Sequence, residues 1–245
     1  PIFIADQKET LRIQPDENTA VQWIPVEQLP EICKEPHMLP VYEKVIHRMR
    51  CWKAMQEQAL LQTAQPLLAW YPLHARDLPW RHTQEPYRIW LSEIMLQQTR
   101  VEAVRNYYAR FLETFPDIAA LAAAEQDQVN KCWEGLGYYS RAANLRKAAQ
   151  TIQEQYGGVF PRTWEEVRGL AGVGDYTAGA VCSICYGLPT PAVDGNVLRV
   201  AARVMNHFCE IDRPEQKAAV TALLRQVYLD NPEHCGTLTQ AFMEI

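Results

Sequence analysis

The chain changes its apolar rhythm once. In the stretches 1–5, 9–14 and 19–24, apolar and polar residues alternate, the period-two pattern of half-buried strands. Residues 25–30 read as a short helical turn between two prolines, and 41–55 as a helix. A polar stretch from Gln56 to Gln65 reads as a linker, within bounds of 53–65, or as the start of a joining helix. From Pro66 onward the helical period dominates. Leu67, Leu68, Trp70, Tyr71 and Leu73 predict the first helix, 77–81 a loop, and 87–98, 101–115, 125–133 and 141–156 four more helices. Thr163 and Glu166 form a capping-box pair that starts a short helix. Gly169-Leu-Ala-Gly172-Val-Gly174 then makes a tight turn, and a helix begins near Asp175. Asp194, after Pro191, is placed as the N-cap of another. Asp212-Arg-Pro-Glu215 opens a helix to about residue 229, and a last one follows Asn231. The expectation is a mainly α chain, all-α over 66–245, with a small α/β segment over 1–52 ahead of it.

Composition narrows the class. At 245 residues with 48% hydrophobic and 22% charged residues, the chain can bury a substantial core and reads as a soluble globular protein. No apolar run reaches the ~18 residues of a membrane span, and no signal peptide is visible. The chain opens on Pro1 and stops at Ile245 inside an expected helix, so it reads as a fragment at both ends. Seven scattered cysteines, an odd number, suit reduced thiols in a cytoplasm. Cys182 and Cys185 form C-x-x-C among Ala, Val and Ile, where core packing is expected and no metal ligand is assigned. The net charge of −5 excludes a globally basic nucleic-acid binder, so any such binding must come from a local surface.

Two stretches carry candidate chemistry. In Trp90-Leu-Ser-Glu93-Ile-Met-Leu-Gln97-Gln98-Thr99, one apolar arc is formed by Trp90, Leu91, Ile94 and Met95, a second by Ile89 and Leu96. Glu93 and Gln97 lie in the narrow strip between them. A carboxylate flanked by apolar surface is desolvated, its pKa rises, and it becomes suited to general-acid work near neutral pH. The plainer alternative is a glutamate bonded to a neighbouring loop. In the glycine turn, bare N–H groups and a helix N-terminus favour a phosphate, the alternative being an ordinary glycine helix end. Asp194 carries the same ambiguity between chemistry and capping.

Together, Leu91-Ser-Glu-Ile-Met-Leu-Gln-Gln-Thr99, Trp133-Glu-Gly-Leu-Gly-Tyr138-Tyr-Ser-Arg141, Gly172-Val173-Gly174 and Val193-Asp-Gly-Asn196-Val resemble adenine DNA glycosylases. These enzymes belong to the helix-hairpin-helix superfamily that includes endonuclease III, and the likeness runs in order from about residue 67 to 245. The resemblance implies that Glu93 protonates the adenine leaving group and helps handle the attacking water, that Asp194 stabilises the cationic sugar, and that Tyr176 and Asn196 lie around the sugar and the nucleophile. Two carboxylates in these roles follow the logic of glycoside cleavage. It further implies an adenine pocket from Trp80, Arg81 and Gln240, and wedges from Gln98 and Tyr138 that offset the unstacking of a flipped base. For Tyr138-Tyr139, core packing at a helix start stays open. Gly172, Val173 and Gly174 would grip phosphate, with Arg141, Arg100 and Arg199 as additional cations.

The implied partner is double-stranded DNA with adenine mispaired with 8-oxoguanine or guanine, handled by a monomeric, cytoplasmic, nucleoid-associated bacterial protein. The implied cofactor is a [4Fe-4S] cluster whose ligands would lie beyond Ile245. Where endonuclease III-like members carry a lysine, this chain has Tyr176, and no lysine occurs between 148 and 206. A monofunctional glycosylase, which leaves the strand uncut, is therefore expected. Glu17-Asn-Thr-Ala-Val-Gln-Trp23-Ile-Pro-Val-Glu-Gln-Leu29-Pro resembles a late strand and loop of Nudix hydrolases, without the metal-binding Nudix box. Such a piece either reads the lesion or belongs to a separate nucleotide-cleaning domain. An endonuclease III-like enzyme of other specificity and a non-catalytic DNA-binding module are the alternatives; the latter should lack the Glu93 and Asp194 pair.

Overall fold

The computed structural model describes residues 25–207 and 213–245. Among them there is no β-strand. The alternating stretches before residue 25, and most of the Nudix-like pattern, lie outside the described residues. The chain divides into two compact units, Pro1–Gln56 and Glu57–Ile245.

In the first unit a 3-10 turn at Val26–Gln28 leads into α1 (Leu29–Ile32), with Pro30 in its first turn. A second 3-10 turn, Pro36–Met38, opens α2, which spans Leu39–Leu61 and so has its last five residues in the second unit. Residues 53–65, expected as linker or joining helix, are thus helical apart from a turn at 62–63. An exposed Arg50–Glu27 ion pair at 3.1 Å adds little stability, as exposed pairs generally do.

The second unit is a helical assembly built on two apolar clusters. α3 (Ala64–His74) packs with the later helices α11 (Gly195–Val204), α12 (Pro214–Leu229) and α13 (Cys235–Glu244) around Leu60, Leu67, Val197, Leu224 and Leu238. α4 (Pro86–Leu96), α5 (Val101–Thr114), α6 (Ile118–Ala123), α7 (Gln126–Trp133), α8 (Ser140–Gln155), α9 (Trp164–Arg168) and α10 (Asp175–Tyr186) enclose the other cluster, centred on Trp90, Phe111, Trp133 and Val181. Local sequence sets the boundaries. The Glu85 carboxylate accepts from the amides of Tyr87 and Arg88 beside Pro86 at N1, and Thr163 with Glu166 closes the predicted capping box. α6 was not foreseen; Asp117 caps it by accepting from the Ala120 amide at 2.8 Å. α4 stops two residues short of the expected 98, because Gln97 leaves the helical region at ψ +110° and Gln98 follows in the left-handed region at φ +57°. The 212–215 start is realised as Pro214 at N1 after Arg213.

α10 is the hub, in contact with α4, α9 and α13. Residues 177–184 are all buried, as in a helix surrounded by protein. Small residues let its neighbours come close: a Cβ on Gly179 would lie 2.6 Å from the Pro191 carbonyl oxygen, so the segment leading to Asp194 rests directly on α10. A buried chain, Ser183 Oγ to Thr239 Oγ1 at 2.7 Å and Thr239 to Tyr228 Oη at 3.0 Å, ties α10 to α12 and α13.

Gly179→Ala should therefore lower unfolding stability by about 1–3 kcal/mol, the usual range for overpacking. Gly174, whose added Cβ would meet nothing within 4 Å, should accept Ala within about 1 kcal/mol, the scale of an N-cap change. Urea denaturation of both variants checks this, and equal losses would contradict the close approach at Gly179.

Candidate active site

Glu93 projects from the middle of α4 and is 6% exposed. Its neighbours on the helix, from Tyr87 to Met95 apart from exposed Arg88, are buried with it, so the two predicted apolar arcs shield it from water on both sides. That desolvation pushes its carboxyl up to about 7. A hydrogen bond from Tyr176 and the charge of Arg81 pull the other way, and the negative Asp194 adds to the rise. Four residues from four separate stretches therefore share one electrostatic environment. Burial also raises the Tyr176 phenol, reinforced by Glu93 and Asp194. Tyr176 serves as a neutral donor, not as a base.

Asp194 is the N-cap of α11. Its Oδ1 accepts from the amides of Asn196 and Val197, each at 2.9 Å, and its Oδ2 accepts from Asn196 Nδ2 at 2.9 Å. Capping and chemistry, weighed as alternatives, are compatible in geometry: the cap holds the carboxylate in place. Asn196 in turn accepts from Arg199 Nη2, which occupies one of the cations expected to reach phosphate.

The expected base pocket divides. Arg81 is nearly buried and donates to Glu244 Oε2 at 2.5 Å and to Tyr71 Oη at 2.6 Å, while Tyr71 donates to Gln240 Oε1 at 2.8 Å. Arg81 and Gln240 also border an open cleft of about 640 Å³. Trp80 instead sits in the core, edge-on to Tyr108 at 5.3 Å. Glu244, Tyr71 and Arg76 were missed by the sequence reading. Glu244 lies one helical turn after Gln240 on α13, and Arg76 Nε donates to its Oε1 at 2.6 Å. Burial pushes the Glu244 carboxyl up, but the Arg76 hydrogen bonds and the two arginine charges outweigh it, holding the group below the usual range. The two glutamates near Arg81 are thus driven in opposite directions, the arrangement that separates an acid from a permanent anion.

The glycine turn lies at the surface. Gly172 and Gly174 are exposed while Val173 and Leu170 anchor the turn in the core. Gly172 takes φ +75° against Asn144, whose Cβ would be 2.8 Å from an added Cβ. Arg168 braces the turn from behind, donating to the Val173 carbonyl at 3.1 Å and to Asp175 at 2.5 Å. Exposed amides at the start of the twelve-residue α10 suit a phosphate. Gln98 and Tyr138 are both exposed, Tyr138 by 62%, and both take positive φ. Tyr139 is exposed too, so core packing does not describe this pair. Arg141 corrects an expectation: it is 8% exposed and turned inward onto backbone carbonyls, away from any phosphate. Arg100 remains exposed.

A sequence profile described as HhH-GPD superfamily base excision DNA repair protein matches residues 91–226. The chain is 42% identical over 188 residues to the adenine DNA glycosylase of Homo sapiens, covering 73% of this chain and 34% of that protein. It is 47% identical over 188 residues to that of Mus musculus, covering 73% and 36%. The chain thus spans about a third of the length of these relatives. The backbone is similar to an endonuclease III trapped in a covalent DNA intermediate, with a TM-score of 0.64 and 22% identity over 76% of this chain and 84% of that one. More than half of the sequence, including Glu93 and the helix capped by Asp194, falls within one match, and the chain belongs to the HhH-GPD superfamily of base excision DNA repair proteins.

Proposed function

We propose that this protein is a monofunctional adenine DNA glycosylase that removes adenine mispaired with 8-oxoguanine or guanine from duplex DNA. The observation that carries the reading is the buried Glu93, raised to about 7, within electrostatic reach of Tyr176, Arg81 and Asp194. Relatives at 42–47% identity are adenine DNA glycosylases. The duplex is gripped at the glycine turn, and Gln98 and Tyr138 fill the stack as the adenine is extruded. Neutral Glu93 gives its proton to the base as the bond from sugar to base breaks. The Asp194 carboxylate stabilises the positive charge that develops on the sugar. Water adds to the sugar carbon, and the ionised Glu93 takes up the proton that water gives away. Arg81, fixed by Glu244 and Tyr71, borders the space for the base with Gln240. A phenol at 176 cannot form a Schiff base, so the strand stays intact. In the same reading residues 1–52 are a Nudix-like segment that precedes the glycosylase domain in the sequence.

The family resemblance also implies a [4Fe-4S] cluster. Among the described residues, no three His, Cys, Asp or Glu side chains come together as a metal site, and Cys182 and Cys185 are taken up in core packing. The described residues therefore do not fit the cluster.

A glycosylase assay on duplexes with A opposite 8-oxoguanine, G, C or T tests the reading. Expected is adenine release opposite the first two, with strand breaks only after alkali; release of pyrimidine lesions instead of adenine would favour the endonuclease III-like alternative. Asp194→Asn separates charge from capping, because Asn caps as well as Asp. Stability should stay within about 1 kcal/mol of the parent, while excision should slow at least about a hundredfold, the usual scale for lost transition-state charge stabilisation. A variant as active as the parent would leave Asp194 a cap alone.

Glu93→Gln should abolish excision and keep DNA binding. It should also change stability with pH. The folded pKa lies above the ordinary carboxyl value of 4.5, so the parent gains nothing from ionisation and loses stability as pH rises from 4.5 through about 7. Gln has no such loss. The stability advantage of Glu93→Gln should grow by about 3 kcal/mol between pH 4.5 and 8, at 1.36 kcal/mol per pKa unit. Parallel denaturation profiles for the two proteins would contradict the burial argument.

A further inference from the structure

We propose that Arg141 is a positioning residue that couples the turns bearing Gln98 and Tyr138, so that both side chains enter the duplex as one unit; this rests on the function proposed above. Arg141 lies in the first turn of α8 and is almost wholly buried, yet none of its hydrogen bonds goes to a carboxylate. Its Nη1 donates to the carbonyls of Ile94 at 3.1 Å, Met95 at 3.0 Å and Gln97 at 2.6 Å. Its Nη2 donates to Thr99 Oγ1 at 3.2 Å and to the carbonyls of Leu136 at 3.0 Å and Gly137 at 3.3 Å. One half of the guanidinium fork thus closes the C-terminus of α4, where orphan carbonyls and the helix dipole favour a cation. The other half reaches Thr99 and the 136–137 turn.

The placement of these bonds gives the role. Gln97 and Thr99 flank Gln98, and Gly137 precedes Tyr138, whose own carbonyl accepts from the Arg141 amide at 2.9 Å. Gln98 (φ +57°) and Tyr138 (φ +48°) are two of only three non-glycine residues with positive φ among the described residues. Such backbones persist only where surrounding contacts over-determine them, and they collect at sites of function. Trp133 Nε1 adds a bond to the Gly137 carbonyl at 3.1 Å, and the Arg141 guanidinium lies 5.5 Å from the Tyr138 ring centre. A charged, planar fork that serves two carbonyls of α4 and four acceptors on the two turns exceeds what closing one helix end requires. A lysine ammonium, with no fork, cannot serve both turns.

The test uses the full-length protein, duplexes with adenine opposite 8-oxoguanine, and 2-aminopurine beside the target to report unstacking on saturated binding. Arg141→Lys should reduce both the fluorescence rise and single-turnover excision at least thirtyfold for excision. In a Gln98→Ala/Tyr138→Ala background it should cost less than a further threefold, because its effect passes through those two side chains. Thr99→Ala, which removes one acceptor and leaves the fork, should give a smaller loss of the same kind and covers the case in which Arg141→Lys fails to fold. Full, undiminished loss on adding Arg141→Lys to the double variant, or parent-like unstacking by both Arg141→Lys and Thr99→Ala, would overturn the coupling. A parent that excises no adenine would instead remove the functional reading, and this inference with it.

Discussion

A single buried carboxyl group makes demands on much of this fold. Glu93 must be kept from water, so the helix around it is apolar on two arcs and α10 is packed against it through small and apolar residues. It must also be held by something polar, and Tyr176 and Arg81 come from opposite sides of the sequence to do so. Leaving a carboxyl dry is unfavourable unless it stays neutral or finds partners. The partners here only partly offset the burial, and the remainder appears as a proton held near neutral pH.

Asp194 and Glu244 show the same chemistry tuned otherwise. Asp194 accepts three hydrogen bonds at the start of α11, so the cap and the placement of its charge are one feature. Its position depends on the close approach of the Pro191 segment to Gly179. Glu244 is held anionic by two arginines and in turn fixes Arg81 beside Glu93. Stability and chemistry are thus coupled through a few short contacts, so substitutions that separate them, such as Asn for Asp at the cap, are informative.

Much of this was legible in the sequence, for local reasons. The strip that isolates Glu93, the Thr163–Glu166 box, the glycine turn and the Asp194 cap each depend on residues within one or two turns of each other. α6 escaped because a short run of alanines has little period to read. The Arg81–Glu244 pair escaped because its members lie far apart in sequence. From sequence Arg141 reads as a phosphate cation; five of its six acceptors are backbone carbonyls, which leave no mark on the residue pattern. The positive φ of Gln98 and Tyr138 also left no trace, since neither is the glycine that such a turn usually recruits.

The central claim is that one buried glutamate holds its proton near neutral pH, and carbon-13 NMR of protein labelled at the glutamate side-chain carboxyl carbons tests it directly. Across pH 4 to 9, one resonance should titrate with a midpoint near 7, and that resonance should be missing from Glu93→Gln. A spectrum in which every glutamate has finished titrating below about pH 5, the ordinary carboxyl range, would contradict the account.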